Sequence, residues 1–120
     1  MLNEMSLYAL LSHRPTYLGA LLVGFLITAS KVQAEPIISE FLASNQSSLK
    51  DEDDESSDWI EIHNPENIEA DLSGYSLSDD PETPQKWIFP AGTTLPANGR
   101  IIVFSSGKNR RTPSQLHTNF

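Results

Sequence analysis

The chain is 120 residues long, 38% hydrophobic and free of cysteine, with a formal net charge of −8 and a sequence pI near 4.6. That length allows one domain at most, and the missing cysteine excludes disulfides, thiolate metal sites and cysteine nucleophiles. From Glu35 onward fifteen acidic residues face six basic ones, an imbalance that opposes nucleic-acid binding, because such binding draws most of its strength from cations that neutralise phosphates.

The first element is an uncharged apolar run, Leu18 to Ala29 (LGALLVGFLITA), preceded by Arg14 and followed by Lys31-Val32-Gln33-Ala34. It is too short to cross a bilayer core of about 30 Å comfortably. Val32 and Ala34 stand at the small-residue positions that signal peptidase requires, so residues 1–34 read as a secretory signal cut between Ala34 and Glu35. An uncleaved N-terminal anchor is the alternative, and it would be the chain's only tie to a membrane. Either way the remainder, 35–120, is expected outside the cytoplasm: secreted, periplasmic or at the cell surface.

Past Glu35 short apolar runs alternate with Pro, Gly, Asn, Asp and Ser at intervals of about ten residues, the pattern of an all-β sandwich or barrel. The predicted strands are five. Ile37 to Ala43 is the first. Trp59 to His63 is the second, with Ile60 and Ile62 on one face and Trp59, Glu61 and His63 on the other, stopped by Asn64-Pro65. Leu72 to Ser78 is the third, with a bulge or close approach expected at Gly74. Lys86 to Phe89 is the fourth. Ile101 to Phe104 is the fifth, an unbroken apolar run that suggests burial on both faces. The turn before it, Pro96-Ala97-Asn98-Gly99, holds an Asn-Gly pair that accepts positive φ.

The most conspicuous polar feature is the acidic run Asp51-Glu52-Asp53-Asp54-Glu55-Ser56-Ser57-Asp58. Grouped carboxylates suit a hard cation such as calcium, which takes six to eight oxygens. Yet the glycine and glutamate of a helix-loop-helix calcium site are absent: counting from Asp51, Ser56 and Ile62 stand at those positions. The run therefore reads as a solvated inter-strand loop, with weak calcium binding as the alternative and no defined metal site. Asp79-Asp80 before Pro81 reads as a turn. Lys108-Asn109-Arg110-Arg111 reads as a solvated basic loop, since no glycine-rich turn or helix start accompanies it.

No catalytic constellation is visible. His63 and His117 are far apart and show no ligand spacing, and no serine lies in a Gly-x-Ser-x-Gly elbow. Trp59, Trp87, Phe41, Phe89 and Phe104 are assigned to the core, the alternative being an aromatic platform for sugars or peptides. Tyr75, beside the Gly74 kink, is expected to be partly exposed.

The strings ISEFLASN (38–45), DWIEIHNP (58–65) and DLSGYSLSDD (71–80), followed in order by KWIFP (86–90), GTTL (92–95), Ile101 to Gly107 and LHTNF (116–120), resemble the lamin tail domain in its bacterial, exported form. The resemblance implies an immunoglobulin-like β-sandwich and a non-enzymatic adhesion or spacer module whose partner is a protein or cell-surface component. Its exported members accompany kinases, nucleases or calcium-binding repeats and are thought to mediate attachment. Ser39 departs from the asparagine usual in that family beside the glutamate matched here by Glu40. In that family further strands follow the position of Phe120, so the sandwich is expected to be incomplete, with an open sheet edge along which the isolated mature chain would associate.

Two other readings stay open: the N-terminal fragment of a larger exported enzyme, and a calcium-dependent surface-binding module. The residues put forward for binding are Asp51, Asp53, Asp54, Asp58 and Tyr75. No cofactor is expected.

Overall fold

The computed structural model describes residues 33–120, and the expected signal segment lies outside them apart from Gln33 and Ala34. At the expected cleavage junction Ala34 is buried in the core and Glu35 is exposed. The described residues form an all-β structure of nine strands without a helix: β1 (Ile37–Leu42), β2 (Asp58–His63), β3 (Ala70–Asp71), β4 (Ser76–Leu77), β5 (Trp87–Ile88), β6 (Thr94–Leu95), β7 (Arg100–Ser105), β8 (Arg111–Thr112) and β9 (Gln115–Leu116).

The three long strands make one antiparallel sheet in the order β1-β2-β7, and the short ones pair as the ribbons β3–β6, β4–β5 and β8–β9. In an antiparallel pair, directly opposed residues share a face. The rows Ile38–Ile62–Ile101 and Phe41–Ile60–Val103 therefore point one way, and Leu42–Trp59–Phe104, Glu40–Glu61–Ile102 and Ile37–His63–Arg100 point the other. The first face meets the ribbons. Ile60, Ile62 and Val103 join Ala70, Leu72, Leu77, Trp87, Phe89, Leu95 and Leu116 in one hydrophobic cluster, with Ile38 and Ile101 packed at its margin. Inside it Trp87 and Phe89 meet edge to face at 4.9 Å between centroids.

Register along β1 slips at Ser39, between the Ile38 and Glu40 pairings, a β-bulge. The extra residue lets Ile38 and Phe41, three positions apart, face the same side. Ser39 is held there by its hydroxyl, which donates to the Glu61 carboxylate at 2.6 Å.

β2 ends because Pro65 has no N–H to continue the ladder and because Asn64 takes over the hydrogen bonding. The Asn64 side chain is completely buried. Its amide lies 2.7 Å from the Ile68 carbonyl, 3.2 Å from that of Leu95 and 3.0 Å from that of Pro96, and its oxygen accepts the Glu66 N–H at 3.1 Å. One side chain thus ties the exit from β2 to the turn entering β7. In that turn Asn98 carries the positive φ (56°) while Gly99 is required by space, since a Cβ there would lie 2.9 Å from the Pro96 carbonyl oxygen.

Four expectations are corrected. The stretch 72–78 is not a single kinked strand. A turn closed by the Tyr75 N–H on the Leu72 carbonyl (3.0 Å), with Gly74 at φ +80°, separates β3 from β4, and the two belong to different ribbons. Positive φ at the third turn position is the type II requirement that glycine meets without strain. Tyr75 is consequently folded inward and buried, not partly exposed; Gln33 donates to its hydroxyl at 3.4 Å. β7 is not buried on both faces, for only Val103 is fully enclosed and its neighbours are half-buried. Phe41 does point to the core side but is 52% exposed, whereas Ile38 on the same face of β1 packs against the cluster. Of the other aromatics, Trp87 and Phe89 lie in the core as assigned, whereas Trp59, though buried, and half-buried Phe104 sit on the opposite face of the sheet, outside the core cluster.

Candidate functional site

Two loops converge at the end of the long sheet where β1 leaves and β2 enters. The first, 44–57, is shaped by Asn45, whose amide donates to the carbonyls of Leu49 (2.6 Å) and Ser57 (3.0 Å) and whose oxygen accepts the Ser48 N–H (2.9 Å). The second follows β7 and is stitched to the chain beyond β9. The N–H groups of Thr118, His117 and Asn109 donate to the carbonyls of Phe104 (2.8 Å), Arg110 (2.9 Å) and Thr118 (2.9 Å).

The acidic and basic runs meet across this junction. The Lys108 ammonium lies 2.6 Å from Asp51, 2.6 Å from Asp53 and 2.9 Å from Glu55. Those three carboxylates lie within 4.8 Å of one another, close enough to hold a cation, and Lys108 supplies one. Arg110 spans Glu52 (3.1 Å) and Asp53 (2.8 Å). The Asp51 side chain is fully enclosed: one oxygen takes Lys108 and the Ser57 hydroxyl (2.8 Å), and the other takes the N–H groups of Asp53 (3.0 Å) and Glu55 (3.1 Å). Such a carboxylate is satisfied on every side, the condition under which a buried charge is tolerated.

His117 extends the clamp. Its ring is completely buried and tilts against Phe104 at 5.2 Å; Nδ1 lies 2.7 Å from the Ser106 hydroxyl, and Nε2 lies 2.6 Å from Glu52. Serine, imidazole and carboxylate in line is the connectivity of an activated nucleophile. Here the Ser106 oxygen also accepts the Lys108 N–H at 3.3 Å, and Glu52 is shared with Arg110. The three side chains join three separate segments, as a fastener does.

The electrostatics follow from this closure. Burial pushes the Asp51 carboxyl up, but Lys108, Ser57 and the two backbone N–H groups outweigh it and hold the group well below its ordinary 3.8. Burial likewise raises Glu52, and its own backbone N–H, His117 and Arg110 bring it below 4.5. Asp53 is lowered by Arg110 and then Lys108. Burial pushes the Lys108 ammonium down, and Asp51, Asp53 and Glu55 reverse this to raise it above 10.5. Depressed carboxylates stabilise the fold above their unfolded values and lose that contribution as pH falls; a raised lysine stabilises below its unfolded value and loses it as pH rises. Thermal stability is therefore expected to be flat across neutrality, to fall as pH drops below about 5, and to fall again above 10.5, where the lysine of the unfolded chain gives up its proton while Lys108 in the clamp keeps it. Melting temperatures collected from pH 2 to pH 11 check this, and a maximum displaced to pH 4 would contradict it.

Of the residues put forward from sequence, Asp51 and Asp53 enter the clamp. Asp54 points outward to Lys50 at 2.7 Å, Asp58 turns away to accept the Asn45 N–H at 2.8 Å, and Tyr75 sits in the core. The acidic run is not a wholly solvated loop, nor is the basic run: Lys108 is 19% and Arg110 35% exposed in their side chains. Sequence reasoning misses Glu52, Glu55, Ser106, Lys108, Arg110 and His117 as members of the site. The signal that could have found them is the reciprocity of two charge blocks, 51–55 and 108–111, of opposite sign. Asp79-Asp80 forms the expected turn, Asp80 accepting the Glu82 N–H at 2.9 Å.

A family model described as Lamin Tail Domain matches residues 29–120. No curated protein and no solved structure matches the chain.

Proposed function

Because the chain belongs to the lamin tail domain family, an immunoglobulin-like β-sandwich, we propose that it works as a non-catalytic module that is exported and holds another protein or a cell-surface component. The observation that carries this reading is the clamp. The side chains best equipped for chemistry, Asp51, Glu52, Lys108 and His117, spend their hydrogen-bonding capacity on one another across two loops. A calcium role would need Asp51, Asp53 and Glu55 to exchange the Lys108 ammonium for the metal, which weighs against the calcium-dependent reading.

The test has two arms. N-terminal sequencing of protein recovered outside the cytoplasm is expected to begin at Glu35, and a fluorophosphonate probe is expected to leave Ser106 unlabelled. Retention of the chain in the cytoplasm would overturn export. Labelling of Ser106 that disappears in His117→Ala would overturn the non-catalytic assignment and favour an enzyme.

A further inference from the structure

β1 is an edge strand. Among the described residues it pairs only with β2, so alternate N–H and C=O groups along its far side have no strand to receive them. Two of its side chains, Ile37 at 48% and Phe41 at 52%, are among the most exposed large apolar groups. Phe41 lies in the row of Ile60 and Val103, both fully buried. The hydrophobic face of the sheet is thus left uncovered at Phe41, while Ile38 on the same face of β1 packs against the core.

The opposite face of β1 carries charge. Glu40 stands directly across from Glu61, a like-charge pairing that destabilises a sheet. Glu61 is compensated by Arg100 at 3.1 Å and by Ser39 at 2.6 Å, whereas the Glu40 carboxylate has no hydrogen bond or ion pair among the described residues. The cations are spent elsewhere: Lys50 on Asp54, Lys86 on Asp79, Lys108 and Arg110 in the clamp, and Arg111 over the Trp87 ring.

We propose that the β1 edge receives an extended segment of a partner protein as a fourth strand, apolar where it meets Phe41 and basic where it meets Glu40. Strand addition draws affinity from main-chain hydrogen bonds and selectivity from alternate side chains. Phe41 and Glu40 are consecutive, so they face opposite ways and demand alternation of apolar and basic residues in the guest. A second copy of this chain fits poorly. Its β1 carries Glu40 and no base, and both copies share the acidic surplus. The proposal names the partner chemistry of the module described above and rests on that reading.

The probe is a synthetic peptide alternating lysine and valine over the length of β1, compared with its glutamate–valine counterpart at low salt. The lysine peptide is expected to bind at least about fivefold more tightly, the scale of one or two cross-strand charge pairs. It is expected to slow amide exchange along 37–42. Glu40→Lys should remove the preference, while Glu82→Lys, the same charge change on the loop between β4 and β5, should leave it. Equal effects of the two substitutions would overturn the proposal, as would binding without protection of 37–42, although the interaction module would then stand with its surface elsewhere. Protection of 37–42 in the chain alone, with a dimer in sedimentation, would overturn it too and give the edge to a second copy.

Discussion

Trp87→Ala is expected to cost about 3–5 kcal/mol, the range for truncating a large buried aromatic. Trp87 is completely buried, meets Phe89 edge to face at 4.9 Å, and is covered from outside by the Arg111 guanidinium 5.8 Å from its ring centre. It also joins the β4–β5 ribbon to a cluster that includes Ile60, Ile62 and Val103 of the long sheet. Removing it opens a void between two layers and leaves Phe89 without its aromatic neighbour. Domains of this size hold about 5–15 kcal/mol in total, so the variant should melt roughly 15 °C or more below the parent. Scanning calorimetry reads this directly. A loss of only a few degrees would mean that the ribbon and the sheet do not share one core. Trp87→Phe should cost less: the indole N–H has no acceptor among the described residues, and phenylalanine removes that buried donor.

Lys108→Met is the second large effect, expected at about 3 kcal/mol, the lower end of what breaking a buried ion pair costs. The substitution keeps the stem and removes the ammonium, leaving Asp51, Asp53 and Glu55 facing one another within 4.8 Å. Asp51 suffers most, since its side chain is closed to water. The double variant Lys108→Met/Asp51→Asn should recover part of the loss, because the remaining asparagine keeps an acceptor for the Asp53 and Glu55 N–H groups. Denaturant midpoints of the two single variants and the double variant form the cycle that measures this. Strict additivity would show that Lys108 and Asp51 act independently, contrary to their 2.6 Å contact. High salt should narrow the gap between parent and Lys108→Met only slightly, since an enclosed pair is poorly screened.

Different parts of the fold are legible in the sequence to different degrees, for physical reasons. β2 is readable to within a residue because Ile60 and Ile62 alternate with polar neighbours and Asn64-Pro65 stops the ladder. β7 is readable as a strand but not in its burial, since an unbroken apolar run does not tell how far the facing layer extends. Phe41 shows the same limit: its side of the sheet follows from sequence, its cover does not. The pairs β3–β6 and β8–β9 join two residues each, too few to leave a period. Tyr75 is misplaced by sequence reasoning because Gly74 makes a closed turn that aims the ring inward, where a bulge would have left it outside. Of the site, the carboxylates Asp51 and Asp53 are visible and their partners are not, because loop charges read as solvated until the fold opposes them.

The clamp also orders events in time. Lys108 is 57 residues from Asp51, and His117 is 65 from Glu52. While the chain is being made, the carboxylates at 51–55 are present long before their counter-charges, with Lys50 as the one cation beside them. Mutual repulsion opposes closure of that loop until Lys108 and Arg110 arrive to neutralise it, with His117 following. Residues delivered late are therefore the ones that lock an early loop, and closure of this end of the sandwich waits until residue 117 has emerged.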